Sequence, residues 1–238
     1  MVIFRWGIGA VAVALFLLPL MVPREFIQVG EAAAQQRQRR VYTNDDYPFN
    51  QPSSAAPATQ PAPAEGSPPA RPAERLAPFV PSPMDVVDRM LQIARVGQDD
   101  VVYDMGSGDG RIVIRAAELF GAKSVGIELD RGLAEDSRER IKERGLEDKA
   151  SIIQGDLLQT DFGDATVVTL YLLVSANDRL RPIMEKTLKP GTRVVAHDMR
   201  VPGWEAYREE AVPSSGGGGT HFVYLYRIPE AFQKDQTR

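Results

Sequence analysis

Three acidic residues have the types and spacing to hold one ligand between them. Asp104 lies in a β-prone run, Val101–Met105, two residues before the loop Gly106-Ser107-Gly108-Asp109-Gly110. Glu128 ends a second such run, Ser124–Glu128, and Gly155-Asp156 follows a third, Ala150–Gln154. An acid beside a glycine loop can face a cationic group. An acid about 20 residues further on is placed to accept hydrogen bonds from both hydroxyls of a ribose. The third can accept from the amino group of a base. Each acid alone also reads as a solvated strand end or a helix cap. All three at the carboxyl ends of successive strands point to a nucleotide-like ligand, because open α/β sheets bind ligands at that edge. Gly106, Gly108 and Gly110 lack the Cβ that would block a left-handed backbone or the ligand. Their Gly-x-Gly-x-Gly spacing is one residue tighter than the dinucleotide fingerprint, which counts against a nicotinamide-dependent oxidoreductase.

The elements that must position these groups alternate strand with helix. Ile112, Val113, Ala116, Ala117, Leu119 and Phe120 give a helix straight after the loop, with Gly121 as its C-cap. Ser82-Pro83 and Asp85 read as an earlier helix start, with Ser82 as N-cap, and the helix is expected to run to about Val96. Leu133, Ser137 and Ile141 should face inward on a third helix. Ala165–Leu172 reads as strand four. Pro182 lacks an N–H, so the next helix should begin no earlier than about Asp178. Thr192–Ala196 reads as strand five. Glu205–Val212 and Thr220–Ile228 flank a Ser-Ser-Gly-Gly-Gly-Gly loop and should pair as an antiparallel hairpin. The expected fold is α/β: a doubly wound, Rossmann-like, mostly parallel seven-stranded sheet with a C-terminal antiparallel hairpin.

The first part of the chain is of another kind. Trp6 to Val22 is an unbroken apolar run, between the length of a signal h-region and that of a short membrane helix. Residues 1–34 are therefore read as a signal peptide or an N-terminal membrane anchor. Residues 35–77, rich in Pro, Ala and Gln, are read as a disordered linker. Eleven of the 18 prolines fall between Pro48 and Pro83. The folded domain is expected over 78–230, with a tail at 231–238. From Pro81 onward 21 lysines and arginines face 26 aspartates and glutamates, which argues against a nucleic-acid partner. The chain has no cysteine, which removes disulfides and thiolate chemistry. With two histidines, no metal site is expected.

At the three acids and the glycine loop the sequence resembles the class I S-adenosylmethionine-dependent methyltransferases, over about Pro78 to Ile228. The resemblance implies S-adenosyl-L-methionine as cofactor. Asp104, Gly106, Ser107, Gly108 and Gly110 would hold its methionine part, Glu128 its ribose, and Asp156 with Leu157 its adenine. Asp104–Val113, Tyr171–Ser175 and Leu188–Val195 further resemble the seven-strand protein-lysine methyltransferases. The similar branch holds the mitochondrial ATP-synthase c-subunit and adenine-nucleotide-translocase lysine enzymes, with the non-SET histone-lysine enzymes more distant. In that branch the segment matching Val80-Pro81-Ser82-Pro83 covers the cofactor. Val174 stands where the branch usually has Pro, and Val168-Thr169 where the histone enzymes have paired asparagines. The Asn/Asp-Pro-Pro-aromatic box of amide and adenine methyltransferases is absent.

Methyl transfer is an in-line displacement, so the protein mainly aligns a neutral nucleophile and excludes water. Tyr171 and Leu173, with Leu172 between them, are the residues expected to line that channel; Tyr171 also reads as an ordinary strand-end aromatic. His197-Asp198 reads as a proton relay or as a plain hydrogen-bonded strand end, and His221 as structural. The expected activity is N-methylation of a lysine in a protein substrate. The alternatives are a small-molecule acceptor and a non-catalytic S-adenosylmethionine-binding module at the envelope. Cofactor supply favours the cytoplasmic face for a domain that is either anchored or, after cleavage, exported.

Overall fold

The computed structural model describes residues 76–215 and 219–232. The apolar run at 6–22, most of the expected linker and residues 233–238 of the expected tail lie outside the described residues. Among those described, no helix is long and apolar enough to cross a membrane.

Seven strands form one sheet: β1 Val101–Met105, β2 Lys123–Glu128, β3 Ala150–Gln154, β4 Val167–Leu170, β5 Arg193–His197, β6 Arg208–Pro213 and β7 Thr220–Arg227. The helices are α1 Met84–Ile93, α2 Arg111–Phe120, α3 Arg131–Glu143 and α4 Val174–Thr187. The strand order is β3-β2-β1-β4-β5-β7-β6. β1 to β5 are parallel, while β7 runs antiparallel between β5 and β6. The expected sheet and its terminal hairpin are the ones observed.

Parallel strands covered on both faces must be apolar throughout, and β4 is buried at every position. On one face Val86, Val87, Met90 and Leu91 of α1 pack with Val102, Ile112 and Val195. On the other, Leu180 and Met184 of α4 pack with Met105, Leu170 and Tyr226. Asp130 caps α3 by accepting from the Leu133 N–H at 3.1 Å. Ala134 takes the buried position expected of Leu133.

Two expectations fail for identifiable reasons. α4 begins at Val174, four residues early, and carries Pro182 in its interior. Its first turn is held from outside: Asn177 is fully buried, and its Nδ2 donates to the Met199 carbonyl at 3.0 Å and the Arg200 carbonyl at 3.3 Å. Proline leaves the Asp178 carbonyl without its usual donor, at a residue whose side chain is 57% exposed. Ser82 does not cap α1, which has no side-chain cap; its hydroxyl instead meets Nδ1 of His197 at 2.9 Å. Leu76 and Ala77, just before the expected start of the domain, pack against the core.

Candidate functional site

The loops after β1, β2, β3 and β4 open at one edge of the sheet, and the segment 76–82 crosses above them. Together they enclose a cavity of about 820 Å³, counting the space open to solvent.

The glycine loop is fixed by hydrogen bonds to its own backbone. Gly106 and Ser107 donate their N–H groups to the Ile127 carbonyl at 2.9 and 3.0 Å. Gly108 donates to Oε2 of Glu128 at 2.7 Å, and Asp130 N–H donates to Oε1 at 2.8 Å. Ser137 Oγ donates to the Gly108 carbonyl at 3.0 Å. Gly106 and Gly108 have φ of 79° and 55°, the left-handed region that side chains avoid. A Cβ on Gly108 would also collide with the ring of Phe79, which lies directly over it. Phe79 belongs to the crossing segment, and Arg111 holds that segment down by donating from Nη1 to the Ser82 carbonyl at 2.6 Å. Arg111 is in turn paired with the buried Asp109 at 2.7 Å.

Asp104 is 3% exposed, and Oδ1 accepts from the Thr169 hydroxyl at 2.7 Å. Burial pushes its pKa up to about 7; nearby Glu128 and Asp109 add to the rise and the Thr169 bond opposes it. Among the described residues no cationic side chain pairs with Asp104. A buried carboxylate of this kind is completed by a ligand cation such as an α-ammonium. Ser107 Oγ is likewise buried with no partner. A shaped glycine cradle, an uncompensated carboxylate and an orphaned hydroxyl fit an amino-acid group joined to a nucleoside.

Asp104, Gly106, Ser107, Gly108, Glu128, Asp156, Leu157 and Tyr171 all line this cavity. Two residues expected there do not. Gly110 sits behind the loop, at the start of α2 against Ser137. Leu173 is 44% exposed at the start of α4, its carbonyl accepting from Ala176 and Asn177 N–H groups. Leu172 takes the wall position instead. Glu128 and Asp156 also brace their own loops, since Asp156 Oδ1 accepts from Leu158 N–H at 2.9 Å. Sequence reasoning missed Phe79, Thr169 and Ser137. Phe79 immediately precedes the Val80–Pro83 segment; Ser137 showed its inward face but not its Gly108 partner, and Thr169 is brought in by strand pairing.

Behind Tyr171 lies a cluster that the sequence scatters. The β5–β7 register sets Val223 opposite His197, so His221, two residues earlier on β7, shares the His197 face. His197 Nε2 lies 3.0 Å from His221 Nδ1, and Asp198 Oδ2 lies 2.8 Å from His221 Nδ1 and 3.3 Å from His197 Nε2. Tyr171 stacks on the His197 ring with centroids 3.8 Å apart. Burial pushes His197 well below the ordinary imidazole range, against the pull of Asp198. Burial would raise Asp198, but the Phe222 N–H and the His221 ring outweigh it and keep the acid ionised. Burial also raises the Tyr171 hydroxyl, with Asp198 adding to the effect.

Comparison with known proteins meets this geometry. Residues 104–208 match the family described as ANTKMT methyltransferase domain. A protein of Saccharolobus islandicus named protein-lysine N-methyltransferase is 46% identical over 154 residues, covering 64% of this chain and 94% of that one. The mouse lysine N-methyltransferase of the ATP-synthase c-subunit is 34% identical over 127 residues, covering 53% of this chain and 51% of its own length. A crystal structure described as an RNA methyltransferase from Salinibacter ruber, in complex with S-adenosyl-L-homocysteine, is 51% identical with a TM-score of 0.59. It covers 63% of this chain and 95% of that chain. The names of these relatives agree on the reaction and disagree on the acceptor.

Proposed function

We propose, because the chain belongs to the S-adenosylmethionine-dependent methyltransferases, that its methyl acceptor is the side-chain amine of a protein lysine. The observation that carries the choice of acceptor is the wall after β4. Tyr171 and Leu172 line the cavity, and Leu173 and Val174, 44% and 47% exposed, follow directly. An apolar rim suits the methylene stem of a lysine. The acidic balance of the domain suits RNA poorly. The names of the Saccharolobus and mouse relatives support the same reading.

S-adenosylmethionine, when bound, supplies an electrophilic methyl group on a sulfonium sulfur. Asp104 and Ser107 would hold its amino-acid end, Glu128 the ribose, and Asp156 with Leu157 the base. Phe79 and its segment keep water from the cofactor side. A lysine attacks only as the neutral amine, and an apolar wall disfavours the ammonium form, so its proton is left to water outside the channel. Tyr171, whose hydroxyl is pushed further from ionisation, stays protonated and presents an uncharged ring to the incoming stem.

The test is methyl-tritiated cofactor incubated with the full chain and a cell lysate. Protease-sensitive label that hydrolyses to methyllysine, absent with Asp104→Asn, is the expected result. Label released by ribonuclease instead would assign an RNA acceptor, and label in the small-molecule fraction a free amine or acid; either overturns the lysine reading. We further propose that the domain works on the cytoplasmic face, where the cofactor is made, with residues 6–22 as a membrane anchor. Membrane fractionation with protease protection checks this.

A further inference from the structure

We propose that His197, Asp198 and His221 form a binding site for one divalent transition-metal ion. The three atoms that face one another are His197 Nε2, His221 Nδ1 and Asp198 Oδ2, with edges of 3.0, 2.8 and 3.3 Å. Cis ligands held at about 2.1 Å in an octahedral face lie about 3.0 Å apart. Two imidazoles and one carboxylate on a single face are the donor set of the facial triad, which leaves three positions open. Nitrogen donors favour manganese, iron, cobalt, nickel or zinc over magnesium or calcium.

Hydrogen bonds alone serve this triangle poorly. If His221 Nδ1 carries a proton, it goes to Asp198 at 2.8 Å. His197 Nε2 then either turns a lone pair toward the carboxylate or brings a second N–H against the first, with the nitrogens 3.0 Å apart. If His221 Nδ1 is bare, its lone pair faces the carboxylate directly. Each arrangement leaves one repulsive contact, and a cation relieves all three.

The surroundings support ligation. Ser82 Oγ sits 2.9 Å from His197 Nδ1, where it can accept that ring's proton and leave Nε2 free, as outer partners of metal-bound histidines do. The Phe222 N–H donates to Asp198 Oδ1 at 2.8 Å, which turns Oδ2 to the histidines. Asp198 itself has a left-handed φ of 55°, a strained conformation that this pairing holds. His197 is fully buried, while the Asp198 side chain is 24% exposed, so an ion has a way in from that side. A bound ion would tie β5 to β7 directly behind Tyr171.

The test is calorimetric titration of the tag-free full chain with zinc and manganese chlorides, together with the visible absorption of added cobalt. Wild type is expected to take up one equivalent and to show cobalt ligand-field bands. His221→Gln and Asp198→Asn should each weaken uptake at least about 100-fold, and Ser82→Ala about 10-fold. S-adenosylhomocysteine binding by His221→Gln and Asp198→Asn, and the circular dichroism and melting of Ser82→Ala, report that the variants remain folded. Uptake by His221→Gln and Asp198→Asn equal to wild type, or no uptake by a wild type that binds S-adenosylhomocysteine, would overturn the site and leave a hydrogen-bonded network. None of these readouts depends on which acceptor is methylated.

Discussion

The two halves of the sheet's carboxyl edge are built on different principles. On the β1–β2 side the backbone itself is tied down: the Gly108 N–H goes to Glu128, its carbonyl to Ser137, and the Gly106 and Ser107 N–H groups to Ile127. On the β4–β5 side the surface is Tyr171 and Leu172, with polar groups gathered behind them. The first half is preorganised for one ligand, and almost any change there misplaces a donor. The second offers apolar contact with few directional constraints. On the proposed reading, cofactor and acceptor are legible to different degrees because one meets fixed backbone geometry and the other side-chain shape.

Substitutions can break or sharpen that contrast. The largest effect belongs to Asp104→Asn, which should weaken cofactor binding by calorimetry at least about 100-fold, the loss of a buried charge pair. The same variant should not lower the melting temperature of the free protein. A carboxyl whose folded pKa is raised destabilises the folded state as pH climbs from its unfolded value of 3.8 to about 7, and the amide removes that cost. Gly108→Ala should weaken the cofactor about 100-fold, because a side chain at its φ of 55° is strained and its Cβ meets Phe79.

Cofactor affinity should also follow the titration of Asp104. Only the carboxylate attracts an ammonium, so affinity should fall about tenfold per pH unit below about 7 and level off above it. Asp104→Asn should lose that dependence. Smaller again is Tyr171→Ala, which should raise KM for the acceptor about tenfold and change S-adenosylhomocysteine affinity by less than about threefold. If Tyr171→Ala damaged both affinities equally, the division into two halves would fail.

Much of this was readable in the chain because glycine and proline are local instructions. Gly106, Gly108 and Gly121 mark left-handed backbone directly, and the alternation of Val101–Met105 with the α2 face required a strand before a helix. The errors lie where a distant partner overrules a local preference. Pro182 argues for a late start to α4, yet Asn177 secures an earlier turn through carbonyls more than 20 residues away. Ser82 has the signature of a cap but is diverted to a histidine 115 residues on. His221 carries no signal at all until β7 is laid beside β5.

Ser82 touches both halves at once. Its carbonyl is held by Arg111 beside the glycine loop, and its hydroxyl by His197 behind Tyr171. One short stretch of chain is therefore pinned on both sides of the division. A displacement of that stretch at one end would strain the hydrogen bond at the other. A single serine thereby fastens the strap over the glycine loop to the strand behind Tyr171.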